Sequence, residues 1–233
     1  LVSELANRPD AVIFAGARDP TRASDLQALQ AQHPDRVHIV KVISADRASN
    51  AAAVDEIKRV AGRLDVVIAN AGIGDCFKGA LQIPPEELVR HLQVNTNGPL
   101  VLFQETYALL RESPNPKFVA VSSLLGSIST GTALPMNTYA YGASKAALNW
   151  VLVKLHHDFP GLTVFPINPG VADTDMAHLS LDNDPDRHKL SGDYPLITPQ
   201  ESARGILEQV DAATRETHGG KFADYTGPEK WQW

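Results

Sequence analysis

The chain has 233 residues, 43% of them apolar and 21% charged, with a net charge of -6 and one cysteine, Cys76. That length can bury a sizeable core, the proportions are ordinary for a globular protein, and an intramolecular disulfide is excluded. No block of Lys or Arg has the look of a nucleic-acid surface, no apolar run approaches the ~20 residues of a membrane span, and no Cys/His group has zinc spacing.

The opening LVSELANRPD reads as the end of a helix. It lacks the basic-then-apolar pattern of a signal peptide; the single cysteine makes a reduced, cytoplasmic compartment the default expectation. Ala11 to Ala17 (AVIFAGA) is a short apolar run closed by Arg18-Asp19-Pro20, a buried strand. Thr21 to Gln32 follows with helical spacing, and Val37 to Ile43 is a second strand. Ala51 to Ala61 is a helix that Ser49 or Asn50 can cap, with Asp46 also read as a cap. Leu64 to Ala69 is a third strand. Glu86 to Leu110 is one long helical stretch entered through Pro84-Pro85. Phe118 to Val121 is a fourth strand, Tyr139 to His157 a helix and Leu162 to Ile167 a fifth strand. Residues 176–198 are polar and aperiodic, as expected of a substrate loop or lid. Pro199 to Thr214 is the last helix, and Gly220 to Ala223 leads into a last strand. Strands alternating with helices predict one α/β domain over 1–233, a Rossmann-like, doubly wound and mostly parallel sheet with helices on both faces.

Such sheets bind ligands beyond the carboxyl ends of their strands. The residues found there are Arg18, Ser44 to Asp46, Asn70-Ala71-Gly72, Ser122-Ser123 and Asn168-Pro169-Gly170. A further pair stands out in Tyr141-Gly142-Ala143-Ser144-Lys145. Residues four apart share a helix face, and an ammonium beside a phenol lowers the phenol's pKa toward a useful range. Tyr139 has Ala143 at that spacing and no such partner.

NAG at 70–72, VNTNGP at 94–99, VSS at 121–123, YGASK at 141–145 and NPGVADTDM at 168–176 together resemble the short-chain dehydrogenase/reductase family, in its motif order and over almost the whole chain. The resemblance implies an oxidoreductase in which Tyr141 exchanges a proton with a substrate carbonyl or alcohol, and Lys145 holds the nicotinamide ribose and lowers the Tyr141 pKa. It implies that Ser123 binds the carbonyl oxygen, with Ser122 and Ser127 as alternatives, and that Asn95 helps hold a water beside Lys145. Asn70, Ala71 and Gly72 would flank the adenine ribose, with Ser44 and Ala45 near the adenine. Pro169, Gly170, Val171 and Thr174 would border the nicotinamide. Small Gly16 and Ala17 followed by Arg18, where an acidic residue would repel a phosphate, favour NADP(H) over NAD(H).

The mostly apolar stretches Ile73 to Phe77, Leu124-Leu125 and Leu134 to Met136, with the loop after Thr174, frame a pocket for a hydrophobic ketone or aldehyde. Ile73, Leu125, Met136 and Met176 are its expected walls. The cofactor strand, IANAGI and the GGKFADYTG…W ending are similar to fungal ketoreductase-like members. The resemblance also implies a homodimer or homotetramer, and no metal, membrane or nucleic-acid partner is expected. One feature is missing. The glycine-rich T-G-x-x-x-G-x-G loop that cradles a pyrophosphate has no counterpart, so a segment before Leu1 is expected in the working protein. The alternative is a catalytically idle dinucleotide-binding sensor or scaffold of the same fold.

Overall fold

The structure, a computed structural model, describes residues 1–189, 194–228 and 230–233. Its elements are α1 (Val2–Ala6), β1 (Ile13–Ala17), α2 (Ser24–Gln32), β2 (Val37–Lys41), α3 (Arg47–Val60), β3 (Val66–Ala69), α4 (Pro85–Leu92), α5 (Gly98–Leu110), β4 (Lys117–Val121), α6 (Tyr139–Asp158), β5 (Thr163–Asn168), β6 (Val171–Ala172), α7 (Asp175–Asn183), β7 (Leu196–Ile197), α8 (Pro199–Ala212) and β8 (Ala223–Asp224). All ladders are parallel: β1 with β2, then β3-β4-β5-β8, then the short pair β6-β7.

β4 and β5 are the buried centre. Successive strand side chains point to opposite faces, and the two faces are covered by different helices. Phe118 and Val164 pack with Phe103 and Leu110 of α5 and with Leu148 and Leu152 of α6. Val119, Phe165 and Ile167 pack with Ile206 and Val210 of α8. This two-sided covering explains why β4 and β5 read as continuous apolar runs. α8 starts sharply because Thr198 and Glu201 form a reciprocal capping box around Pro199.

Three boundaries differ from expectation. α3 begins at Arg47, capped by Asp46, whose carboxylate accepts from the Ser49 amide at 2.7 Å. Asn50 is therefore inside the helix, not at its cap, and its amide donates back to Ile43 O and Asp46 O. The stretch from Glu86 to Leu110 is interrupted by a π-helical turn at Gln93–Asn97. Pro99 has no N–H for the carbonyl four residues back, that of Asn95, so the regular α-helical bond is unavailable there. The third difference lies in 176–198: α7 is a helix, with β7 after it. Residues 190–193 of that stretch lie outside the described residues. Among the described residues no helix is long and apolar enough to cross a membrane.

Candidate active site

Tyr141 and Lys145 lie on the first turns of α6, with the Lys145 ammonium 5.6 Å from the Tyr141 ring centre. Lys145 is buried and donates to Val121 O, the last carbonyl of β4, at 2.8 Å. Burial pulls its pKa down to about 8. Burial also pushes the Tyr141 phenol above its ordinary value, and a side-chain hydrogen bond with Ser123 offsets only part of that rise. The expectation that Lys145 draws the phenol down therefore needs correction. Desolvation, which disfavours the charged form of both groups, is the larger cause for the phenol, and its resting state is neutral.

Ser123 follows β4 and caps a 3₁₀ turn at Leu124–Gly126, its hydroxyl accepting from the Leu125 amide at 3.2 Å. Its two rivals point elsewhere. Ser122 donates to Asn149 Oδ1 at 2.6 Å within the core, and Ser127 donates to Gln232 O at 2.7 Å. The turn presses on α6 through Gly126, where an added Cβ would lie 2.7 Å from Lys145 Cβ and 2.8 Å from the Lys145 carbonyl carbon.

Asn95 sits in the π turn, buried and fully engaged. Its Oδ1 accepts from the Ile73 amide at 2.8 Å, and its Nδ2 donates to Ile73 O and to Ser144 Oγ. It thereby ties the segment after β3 to α6. Gly72 lies between the two groups, for an added Cβ would be 3.2 Å from Asn95 Oδ1 and 3.5 Å from Lys145 Nζ. Asn70 and Ala71 are exposed at the end of β3. Ser44 is half-buried against Gly98, where an added Cβ would come within 3.0 Å of it. Arg18 is exposed at the end of β1 and forms no ion pair among the described residues; the neighbouring Asp19 carboxylate accepts from Thr21 instead.

A cavity of about 450 Å³ opens onto Ser123 and Tyr141. Its walls include Leu125, Met136 and Met176, and on another side Pro169, Gly170, Val171 and Thr174. Ile73 is not among its lining residues; Gly74 and Phe77 are, while the backbone of Ile73 is turned to Asn95. Wall residues that went unread in the sequence include Asp224, Tyr225, Lys230 and Trp231. Asp224 is buried and accepts from Asn168 Nδ2, Thr226 Oγ1 and Trp231 Nε1 at 2.6–2.8 Å. Asn168 Oδ1 in turn accepts from the Leu124 amide at 2.9 Å. Hydrogen bonds to its charged form outweigh the effect of burial, and the Asp224 pKa stays below the ordinary carboxylate value. The signal that was available is the ADYT stretch at the end of β8, where a strand-terminal Asp precedes two hydrogen-bonding side chains.

The family model described as short chain dehydrogenase matches residues 1–184. A short chain dehydrogenase of Penicillium aethiopicum is 36% identical over 235 residues, covering 98% of this chain and 92% of the relative. Norsolorinic acid ketoreductase of Aspergillus parasiticus is 32% identical over 243 residues, covering 100% and 86%. Among solved structures, the NADPH-bound carbonyl reductase from chicken fatty liver superimposes with a TM-score of 0.86 at 26% identity, covering 100% of this chain and 92% of that one. The chain belongs to the short-chain dehydrogenase/reductase family and is an oxidoreductase.

Proposed function

We propose that the protein is an NADP(H)-dependent carbonyl reductase, with Tyr141 as proton donor, Ser123 as the donor to the carbonyl oxygen, and Lys145 and Asn95 as the groups that hold the site together. The observation that carries this reading is that Ser123 and Tyr141 line the same largely apolar cavity, with the buried Lys145 ammonium beside the Tyr141 ring. The ketoreductase and the carbonyl reductase reported above support the same class.

Apart from the pyrophosphate cradle, the residues present fit a nicotinamide cofactor. An ammonium has three donors and Lys145 uses one on Val121 O, which leaves two for a ribose diol. Gly72 keeps the space between Asn95 and Lys145 clear. Asn70, Ala71 and Ser44 would flank the adenine side, and the backbone from Pro169 to Thr174 would border the nicotinamide. When bound, the cofactor supplies a hydride to the carbonyl carbon.

The chain does the rest. Ser123 and Tyr141 donate to the carbonyl oxygen and stabilise its developing negative charge. Tyr141, neutral at rest, then gives its proton to that oxygen, and the product is an alcohol. The positive charge of Lys145 stabilises the phenolate left behind. Asn95 clamps Ile73 and Ser144 so that Gly72 and the YGASK turn keep their spacing. The described residues of the 176–198 stretch, through Met176, Ala177, Ser180, Arg187, Tyr194 and Pro195, cover the substrate side of the cavity. Arg18, exposed and outside any ion pair among the described residues, is suited to the 2′-phosphate that distinguishes NADPH.

The test is a fluorescence titration with NADPH and NADH on the native chain and on Arg18→Glu. The reading expects tighter NADPH binding natively and a loss of at least tenfold for NADPH alone in the variant. Equal binding of both cofactors by both proteins removes Arg18 from the argument, and no binding of either overturns the reductase reading.

A further inference from the structure

Among the described residues, the cavity wall carries a positive charge with no ion-pair partner, in a chain whose net charge is -6. Among the described residues three charged side chains line it: Arg187, Asp224 and Lys230. Asp224 and Lys230 belong together, Nζ 3.5 Å from Oδ1. Arg187 has no ion pair or side-chain hydrogen bond among the described residues, although two carboxylates stand beside it in sequence. Both are taken. Asp184 accepts from the Asn137 backbone amide at 2.8 Å and from Asn137 Nδ2 at 3.0 Å. Asp186 accepts from Asn137 Nδ2 and from Lys189.

The same contacts fix where Arg187 stands. Asn137 precedes Tyr141 by four residues, so the Asp184–Asp186 clamp ties the turn bearing Arg187 to the entrance of α6. The Arg187 amide also donates to Asp184 O at 3.2 Å. A half-buried guanidinium is thus held at one wall of a cavity whose other walls include Phe77, Leu125, Met136 and Met176. A cation facing apolar walls gains most from an anion that arrives with the ligand, and a guanidinium fork matches a carboxylate with two parallel hydrogen bonds.

We propose that Arg187 is a specificity-determining residue and that the carbonyl substrate is an acid, an apolar ketone or aldehyde bearing a carboxylate that Arg187 binds. This deepens the carbonyl-reductase reading and rests on it. Asp224 does not repel such a substrate, because its charge is matched by Lys230 and its oxygens are already hydrogen-bonded.

The experiment compares 4-acetylbenzoate with its methyl ester as substrates of the native chain, Arg187→Met and Arg187→Lys, with NADPH affinity measured for each. The native enzyme is expected to favour the acid. Arg187→Met should lower kcat/KM for the acid by about ten- to a hundredfold, the range of one charge-assisted pair, while the ester and NADPH affinity stay unchanged. Arg187→Lys should recover part of the loss. Equal effects on acid and ester, or weakened NADPH binding in place of a substrate effect, overturn the proposal. A native enzyme that reduces the ester without favouring the acid overturns the role of Arg187 alone and leaves the reductase reading standing. Reduction of neither probe overturns both.

Discussion

Gly126 is where the turn bearing Ser123 meets the helix bearing Lys145, and Gly126→Ala tests whether that contact sets the site. The added Cβ would lie 2.7 Å from Lys145 Cβ, 2.8 Å from the Lys145 carbonyl carbon and 3.0 Å from the Ala146 amide nitrogen. Ordinary contact begins near 3.4 Å, so the turn and α6 must part by about 0.7 Å, the difference between 3.4 and 2.7 Å. Two of the three neighbours are backbone atoms, and no side-chain rotation relieves them. Overpacking of this kind costs about 1–3 kcal/mol. The catalytic consequence is larger. The strain is relieved by moving Ser123 away from Tyr141, and displacements near 1 Å in a reacting constellation cost on the order of 10²-fold. We expect Gly126→Ala to stay folded, with Tm lowered by several degrees, to bind NADPH, and to lose ten- to a hundredfold in kcat/KM for a ketone. Calorimetry, cofactor titration and steady-state kinetics read the three quantities separately. A variant with Tm and kcat/KM both within error of the native protein would refute the close approach as the determinant of Ser123 geometry.

Lys145 is charged below its folded pKa of about 8, against an ordinary value of 10.5. Reduction should therefore slow as pH rises through 8, and a rate flat to pH 9.5 would contradict the role given to the ammonium. Stability should move the other way. Between pH 8 and 10.5 the unfolded chain binds this proton and the folded chain does not, so the Lys145 contribution rises with pH. Lys145→Met should then be more stabilising at pH 7 than at pH 10.5, read by denaturant unfolding. Asp224→Asn replaces an acceptor-only group with one that turns an N–H toward Asn168, Trp231 or Thr226. The loss is about 2–3 kcal/mol and a Tm lower by roughly 5–10 °C; an unchanged melting curve would show that the network is not strained. The native Asp224 contribution is present above the ordinary carboxylate pKa and is lost only as pH falls through the depressed folded value. Ser123→Ala should cost about 10²–10³-fold in kcat while Ser127→Ala leaves kcat within a few-fold, and the reverse ranking would move the carbonyl donor to Ser127.

The parts of the molecule governed by local rules were readable in the sequence. β4 and β5 announced themselves as apolar runs because both of their faces are covered, and Tyr141 and Lys145 share a face by helical spacing alone. The start of α3 was misread because Asn50 has the chemistry of a cap yet satisfies itself by bonding back to Ile43 O and Asp46 O. α7 was unreadable for a different reason. None of its side chains is buried, and without a buried face a helix carries no 3.6-residue signature. The pairing of Tyr141 with Lys145 was visible, but the sign of the phenol's pKa was not. Spacing reports the neighbour, whereas burial depends on the 3₁₀ turn and the cavity walls that close over both groups. The C-terminal wall is similarly non-local: Ser127 binds Gln232 O and the Ser129 amide binds Trp233 O, contacts that no period along the chain encodes.

Those non-local contacts converge on one short segment. The stretch from Ser123 to Ser129 is held from α6 by the close approach at Gly126, from β5 by Asn168 on the Leu124 amide, and from the C-terminal residues by Gln232 and Trp233. Asn168 is itself fixed by Asp224, which also holds Trp231. Ser123, the proposed donor to the substrate oxygen, is therefore positioned by a hydrogen-bonded chain that runs from Trp231 through two strand ends. Tyr141 and Lys145, in contrast, are positioned by one helix. A change in the C-terminal segment should alter the Ser123–Tyr141 geometry without touching the Tyr141–Lys145 geometry. In kinetic terms it should lower kcat for ketones while cofactor affinity, which depends on the Lys145 side, holds. Trp231→Phe tests this coupling: a smaller aromatic ring stays at the wall, the donor to Asp224 is lost, and a fall in kcat with an unchanged NADPH dissociation constant is the expected result. Loss of cofactor affinity in parallel with kcat would mean that the segment supports the whole site and not the serine alone.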